Sequence, residues 1–228
     1  MDLDPQANLT RLTDATPGQQ PAALGSKLRE LTISDALYGT QECGSAVVEH
    51  GLVMQVAVDS GEYWSERLRV VPANQDLASR GTDVFKGADE RLAAGLQGAA
   101  AHADLVVIDC APTLGQLFMA ALMAADGVLL VSEPADNSVE GLPRTMQVLQ
   151  TARGRRAGLP ELLGIIATNV PARESRAAEL LTFMRRDYGE LLWDAVPRRA
   201  VARQADGGGH PVRTFGPAGR AATDPYAR

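Results

Sequence analysis

The chain has 228 residues, of which 45% are apolar and 22% charged, and its formal net charge is −6 at pH 7. These values are typical of a globular protein that needs no disulfide or metal to hold its core, and they exclude collagen, coiled-coil and disordered chains. Cys43 and Cys110 are too far apart in the sequence to form a CxxC pair, so no cysteine zinc site is predicted. Apolar stretches fall well short of the roughly 20 residues of a membrane span, so we expect a cytoplasmic protein without a membrane partner.

Charge is distributed unevenly along the chain. Residues 1–140 carry 8 basic and 20 acidic side chains, whereas residues 141–228 carry 14 basic and 8 acidic ones. Nearly all the basic residues are arginines, whose planar fork of N–H donors binds phosphate well. Two interpretations remain open: a nucleic-acid-binding surface on the carboxyl-terminal half, or a solvated face whose arginine content reflects the base composition of the gene.

Short apolar runs that end in polar residues predict strands, and segments of helical period lie between them. Strands are predicted at residues 68–72, 105–108, 127–131, 163–167 and 191–196. Helices are predicted within 77–101 and at 114–125, 139–153 and 173–187, with irregular structure at 10–20 and after residue 207. This alternation predicts an α/β fold, a mostly parallel sheet flanked by helices, built as a single domain over residues 1–228.

The residues that directly follow the apolar runs are candidates for a functional site, because ligands bind at the carboxyl ends of parallel strands. Asp109, Glu133 and Asn169 occupy these positions. A carboxylate such as that of Asp109 suits Mg²⁺, either directly or through water, although on its own it is also consistent with a residue that caps a turn. Asn169 alone is likewise consistent with a strand-end turn.

Two motifs and four shorter matches carry a specific resemblance to a known family. DLDPQAN at residues 2–8 matches the nucleotide motif DxDPQxN, and VVIDCAPTLG at 106–115 resembles the Walker B motif hhhhDxPP[ST]xG. The shorter matches are VPAN at 71–74, AADGVLLV at 124–131, SVEG at 138–141 and VPR at 196–198. In this order they resemble the ParA/Soj partition ATPases of the MinD-type deviant P-loop class, over nearly all of residues 1–220. The resemblance implies a P-loop NTPase-like fold and ATP-dependent segregation of chromosomes or plasmids.

The resemblance implies a role for three carboxylates in ATP hydrolysis. Asp4 matches the residue that positions the attacking water. Asp2 and Asp109 match the residues that support the Mg²⁺ shell, directly or through water. Chemistry of this kind depends on orientation and electrostatics, so ATP and Mg²⁺ are the implied cofactors.

The resemblance also implies a base site. Asn169 matches the position that reads the adenine edge, and Pro197 and Arg198 match residues that line the faces of the ring. An amide suits adenine because it offers a donor and an acceptor together.

The implied partners are nonspecific DNA, a centromere-binding ParB-type protein and a second copy of the chain, in a nucleoid-associated location. Candidate DNA contacts are Arg173, Arg176, Arg199 and Arg203. The match is imperfect there, because residues 197–205 read PRRAVARQA where the family has PRNVRLAEA. A MinD-like membrane-site regulator is not supported, because no amphipathic basic tail ends the chain.

The sequence departs from the family in one large respect. The motif KGGxGKT does not occur in it, and neither GSK at 25–27 nor GGG at 207–209 replaces that motif. We therefore expect a chain truncated at both ends that lacks the first strand, the P-loop and the first helix, through a misassigned start at Met1 or decay of the gene. Such a chain is expected to expose residues 105–108, to aggregate and to lack ATP hydrolysis. The alternative function is a non-hydrolysing remnant or adaptor that keeps DNA or partner contacts.

Overall fold

The computed structural model describes residues 1–15, 32–39, 57–61, 63–83 and 87–224. The chain divides into two compact units, Met1–Ala125 and Asp126–Arg228, which are described separately. The single domain expected from the sequence stays a prediction. Within the described ranges, no helix is both long and apolar enough to cross a membrane.

The first unit contains two short strand pairs. Strand β1 (Asp2–Leu3) runs parallel to β4 (Asp109–Cys110), and β2 (Val58–Asp59) runs antiparallel to β3 (Arg69–Val70). The helices are α1 (Asn8–Leu12), α2 (Ile33–Gly39), α3 (Leu77–Arg80), α4 (Arg91–Gly95) and α5 (Gln116–Ala124), with a 3-10 turn at Ala99–Ala101.

Strand β1 lies at the centre of the first unit. The Asp2 N–H donates to Val71 O at 3.0 Å on one side, and the Asp109 N–H donates to Met1 O at 2.9 Å on the other. Five large apolar side chains pack against this layer and are fully buried: Leu3, Ile33, Leu37, Leu77 and Leu92. The first residues of the chain are therefore internal to the unit.

The second unit is a βαβ arrangement with further helices. Strand β5 (Gly127–Ser132) runs parallel to β6 (Glu161–Ala167), and α6 (Asp136–Arg155) connects them. The remaining helices are α7 (Ser175–Tyr188), α8 (Ala200–Gly208) and α9 (Gly216–Thr223), with 3-10 turns at Gly189–Leu191 and Val212–Thr214. The core between β5, β6, α6 and α7 is made by Leu130, Ile165, Val139, Leu142, Leu180 and Met184.

An extended segment after Leu191 runs beside β6. The Trp193 N–H donates to Ile165 O at 2.9 Å, and the Val196 N–H donates to Ala167 O at 2.8 Å. The pairing is interrupted, so the strand predicted at 191–196 is wrong as a continuous strand, although the segment lies where a third parallel strand would lie.

The elements of the second unit confirm most of the predictions made for them. Strands at 127–131 and 163–167 and helices at 139–153 and 173–187 are present with bounds shifted by a few residues, as is the helix at 114–125 in the first unit. The irregular structure expected at 10–20 and after 207 is wrong where the structure describes it, since α1 includes residues 10–12 and α9 covers Gly216–Thr223.

Residues 105–108 do not form the buried strand that their apolar pattern predicts. Only Asp109 and Cys110 pair with β1 as a strand, and the Leu105 and Val107 side chains are 78% and 66% exposed. Val131 on β5 is 65% exposed. An apolar run becomes a buried strand only where a neighbour covers it. Here the Met1 amino group donates to Val107 O and Ile108 packs partly against the core, but the Leu105 and Val107 side chains remain exposed.

Gly164 on β6 is predicted to be essential for the packing of Trp193. A Cβ at this position would collide with the indole ring, whereas no described atom lies within 4 Å of a Cβ added at Gly141 on α6. We expect Gly164→Ala to lower the free energy of unfolding by about 1 kcal/mol, because the half-exposed indole must move. The control Gly141→Ala is expected to be neutral or stabilising, because alanine favours helix over glycine. Urea unfolding of both variants measures the difference, and equal stabilities would contradict the packing role.

Candidate functional site

The Asp2 carboxylate is completely buried and anchors the first loop of the chain. Its Oδ2 accepts hydrogen bonds from the Thr10 N–H at 2.8 Å and the Thr10 hydroxyl at 2.7 Å, and its Oδ1 accepts from the Asp4 N–H at 3.1 Å. The Thr10 hydroxyl in turn accepts from the Ala73 N–H at 2.9 Å. Burial of a carboxylate is tolerated here because protein donors replace water. Asp2 thus positions the loop, and a role for it in the Mg²⁺ shell stays a prediction.

Asp4 is held in a turn of its own. Its Oδ1 accepts from the Gln6 N–H at 2.9 Å and its carbonyl accepts from the Ala7 N–H at 2.9 Å. Ala7 has a positive φ of 54° at the start of α1, which an L residue rarely adopts. This geometry fixes one carboxylate oxygen of the half-buried Asp4 and leaves Oδ2 without a hydrogen bond to any described residue.

Asp109 follows the extended run 105–108 and lies near the other two carboxylates. Its pKa is raised, first by loss of hydration and then by the negative charges of Asp2 and Asp4. The structure therefore brings together the three carboxylates that the sequence singles out. Their mutual repulsion is a physical reason for a cation to bind beside them.

The donor set fits Mg²⁺ in one particular way. Within the described ranges, no three His, Cys, Asp or Glu side chains converge as a protein-only metal cage. Mg²⁺ commonly binds through one or two carboxylates and completes its shell with water and phosphate oxygens. Asp109, which is exposed, and Asp4 are available for this mode, whereas the oxygens of Asp2 are engaged by Thr10 and Asp4.

Cys110 does not provide a nucleophile. Burial, together with the neighbouring charge of Asp109, raises the pKa of its thiol to about 12. The thiol is therefore protonated near neutral pH and packs as a small apolar side chain. The other cysteine, Cys43, lies outside the described residues.

The second unit brings together Asn169, Pro197 and Arg198, as the sequence predicts for a base site. Asn169 Oδ1 accepts from Arg198 Nε at 2.9 Å, and Pro197 pairs with Val170, the neighbour of Asn169. The backbone of Asn169 has a φ of 55°, which asparagine tolerates better than most residues. These three residues stand at the carboxyl ends of β6 and of the extended segment beside it.

Glu133 is a member of this cluster that sequence reasoning left without a role. Its Oε1 accepts from Asn169 Nδ2 at 2.9 Å, across 36 positions of sequence. Its place directly after β5 was the available signal, but the pattern alone could not show which side chain it contacts.

The four candidate DNA-binding arginines lie on the second unit and are exposed. Arg173 precedes α7, Arg199 precedes α8 and Arg203 lies on α8, and no ion pair joins these three arginines to another described residue. Arg176 differs, because it forms salt bridges with Asp136 and Glu179. These hydrogen bonds raise the pKa of Arg176 and lower that of Asp136. A phosphate would have to displace two carboxylates from Arg176, but none from the other three.

The chain is similar in sequence to a known family and to proteins that belong to partition systems or to sporulation control by name. Residues 1–158 match the AAA domain family. The chromosome partitioning protein ParA of Caulobacter vibrioides is 28% identical over 222 residues, covering 94% of this chain and 74% of that protein. The sporulation initiation inhibitor protein Soj of Bacillus subtilis is 24% identical over 160 residues, covering 69% of this chain and 63% of that protein.

Solved structures share the fold. Apo McdA from Cyanothece superposes with a TM-score of 0.75 at 20% identity, covering 99% of this chain and 83% of that one. Cobyrinic acid a,c-diamide synthase from Mycobacterium smegmatis, with bound ADP and magnesium, superposes with a TM-score of 0.65 at 25% identity, covering 86% and 72%. The P-loop NTPase-like α/β fold expected from the sequence is confirmed by these structures.

The Thr10 hydroxyl is predicted to be essential for stability. Thr10→Val keeps the shape of the side chain but leaves the Ala73 N–H without its partner and removes one of the two hydrogen bonds that Asp2 Oδ2 accepts from Thr10. We expect the free energy of unfolding to fall by about 1–3 kcal/mol, the cost of unsatisfied buried polar groups. The control Thr10→Ser retains the hydroxyl and should lose less than half as much. Chemical denaturation measures both, and a loss in Thr10→Ser as large as in Thr10→Val would contradict the dominant role of the hydroxyl.

Asp109 is predicted to destabilise the free protein at neutral pH. Because its pKa is raised in the folded state, its ionisation costs stability as the pH rises from the ordinary aspartate value through the raised one. Without divalent cations, Asp109→Asn should raise Tm by about 1–2 °C at pH 7, and the gain should vanish in acid. Adding Mg²⁺ should stabilise the natural protein more than the variant.

The control for this experiment is Asp104→Asn, at an exposed residue that pairs with the exposed Arg67. It should change Tm little at any pH. A gain in Tm at Asp109 that persists unchanged into acid would contradict the electrostatic explanation.

Proposed function

The chain belongs to the AAA domain family, and we propose that it is a ParA-type partition protein, like the ParA and Soj proteins that it resembles. In this proposal the protein uses ATP to control its binding to DNA. One observation carries the proposal. The parallel pairing of β1 with β4 brings Asp109 near Asp2 and Asp4, in a loop anchored by a buried carboxylate.

Each of the three carboxylates has a distinct part in the proposed ATP hydrolysis. When bound, Mg²⁺ supplies charge neutralisation for the phosphates. Asp109 offers an exposed oxygen toward the metal shell, directly or through water. Asp4, fixed at Oδ1 by the Gln6 N–H, keeps Oδ2 to orient a water molecule, and Asp2 holds the Asp4 backbone in place. Orientation of this kind is the main contribution that a protein makes to phosphoryl transfer.

The proposed base site lies in the second unit. Asn169 presents its amide to the adenine edge, and Pro197 and Arg198 flank it. ADP and ATP complexes of proteins with this fold support nucleotide binding in the family.

The proposed DNA-binding surface is the arginine-rich second unit. Arg173 follows Val170 by three residues and Arg199 follows Pro197 by two, so both arginines come shortly after the same bridge between the two segments. Exposed arginines without carboxylate partners are the residues best able to contact phosphates. We propose nonspecific DNA, a ParB-type centromere-binding protein and a second copy of the chain as partners, with nucleoid association as the consequence.

The test is binding of the 228-residue chain to a labelled random DNA duplex, by fluorescence anisotropy, with and without Mg²⁺ and ATP across a range of salt. The same measurement is made on a form that also carries a KGGxGKT segment, which this sequence does not contain, and for that form we expect ATP-dependent binding that weakens steeply with salt. The double substitution Arg173→Glu with Arg203→Glu should weaken binding and reduce the salt slope by about 2, because two phosphate contacts are lost. The control Arg144→Glu changes the charge of an exposed arginine on α6 and should leave the slope unchanged.

A second measurement separates the ATPase from the adaptor. Phosphate release that is lost on Asp4→Ala, while ATP-dependent DNA binding persists, supports the ATPase. DNA binding that is indifferent to ATP in every variant supports the adaptor. A salt slope that is equal in the natural protein and the double variant would contradict the assignment of these arginines.

A further inference from the structure

We propose that Glu133 is a positioning residue that fixes the orientation of the Asn169 amide, and that Glu133 and Arg198 together make the base site selective for adenine over 6-oxopurines. The inference rests on the proposed function, in which Asn169 meets the base. It adds a residue, Glu133, that the motifs do not indicate.

The amide of Asn169 is held from both ends by opposite charges. Nδ2 donates to the Glu133 carboxylate at 2.9 Å, and Oδ1 accepts from the Arg198 guanidinium at 2.9 Å. Rotating the amide by half a turn would place Oδ1 against a carboxylate and Nδ2 against a cation. The two charges therefore select one orientation of the amide.

The backbone around each member of the cluster is fixed independently. Glu133 O accepts from the Ala135 N–H at 2.8 Å and from the Ser132 hydroxyl at 3.2 Å. The Arg198 N–H donates to Val170 O at 2.8 Å, one residue from Asn169. The side chains therefore extend from the ends of strands and not from a free loop. Because the backbone at both ends is held, the hydrogen bonds of Glu133 and Arg198 can fix the orientation of the Asn169 amide.

The selected orientation has a consequence for recognition. An asparagine amide can donate twice and accept twice, and Glu133 and Arg198 use one of each. One N–H and one lone pair remain without a partner among the described residues. These match the amino group and the ring nitrogen of adenine, whereas hypoxanthine and guanine present a carbonyl oxygen where adenine has its amino group. An amide fixed in this orientation would therefore place its Oδ1 acceptor against the carbonyl oxygen of a 6-oxopurine, which is also an acceptor, so binding would be weaker.

A purely structural explanation is that asparagine is present at position 169 only because it tolerates the left-handed backbone conformation there, at a φ of 55°. Asn169→Gly separates the two explanations, because glycine adopts this φ without cost and removes the amide. If the amide reads the base, this variant folds normally and loses discrimination between purines.

The experiment compares the Kd of ATP with that of ITP, both with Mg²⁺, for the full chain by calorimetric titration. The natural protein should prefer ATP, and Glu133→Ala should reduce the ratio of affinities by about tenfold, the order of one mismatched hydrogen bond. The double exchange Glu133→Arg with Arg198→Glu reverses both charges and should invert the preference. The control Glu140→Ala removes an exposed glutamate of α6 and should keep the ratio.

A second readout needs no nucleotide. In the free protein, one side-chain amide proton of Asn169 should show the downfield NMR shift of a hydrogen bond to a carboxylate, and this shift should disappear in Glu133→Ala and persist in Glu140→Ala. Failure to observe it in the natural protein would overturn the positioning role.

The outcomes distinguish this inference from the proposed function. If the natural protein binds ATP and Glu133→Ala leaves the ratio of ATP to ITP affinity unchanged, only the role of Glu133 is overturned. If the natural protein binds neither nucleotide, the proposed function fails and the purine selectivity fails with it.

Discussion

The arrangement of the first unit depends on a buried charge. A carboxylate with no access to water must be surrounded by donors, and Asp2 obtains them from Thr10 and from the backbone of Asp4. This requirement fixes the loop 4–10 on β1, and the Thr10 hydroxyl extends it to Ala73 on the neighbouring segment. The position of Asp4 is therefore a consequence of the solvation of Asp2, so the proposed catalytic carboxylate and the stability of the unit share one network.

Charged side chains are arranged differently in the two units. In the first, three carboxylates are neighbours, and the pKa of Asp109 is raised first by loss of hydration and then by the negative charges of Asp2 and Asp4. In the second, Glu133 and Arg198 engage the same amide, and Arg176 is paired with Asp136. A cluster of negative charges without balancing positive charges attracts a cation. A cluster in which opposite charges bind the same group holds that group in one orientation. The first arrangement suits metal and phosphate chemistry, and the second suits recognition of a neutral base.

Sequence patterns predicted those parts of the fold whose burial is decided locally. Strands β5 and β6 and helices α6 and α7 follow from apolar period, because each packs against a neighbour close in the chain. Residues 105–108 show the limit of such predictions. Their apolar pattern indicates which side chains a strand would bury, but it does not indicate whether a neighbouring element is present to bury them. The contacts of Glu133 with Asn169 and of Arg176 with Asp136 span 36 and 40 positions, so no local pattern could reveal them.

The bridge between Val170 and Pro197 would link the proposed base site to the proposed arginine surface. Asn169 and Arg198 flank this bridge, and Arg173 and Arg199 come shortly after it. A base that engages the Asn169 amide would pull on the same short backbone segments that carry the two arginines. Packed strands shift as units and do not bend freely. The position of the Asn169 end of this pairing would therefore constrain the position of the segments that carry Arg173 and Arg199. The pairing would thus connect occupancy of the proposed base site with the presentation of the proposed DNA-binding arginines.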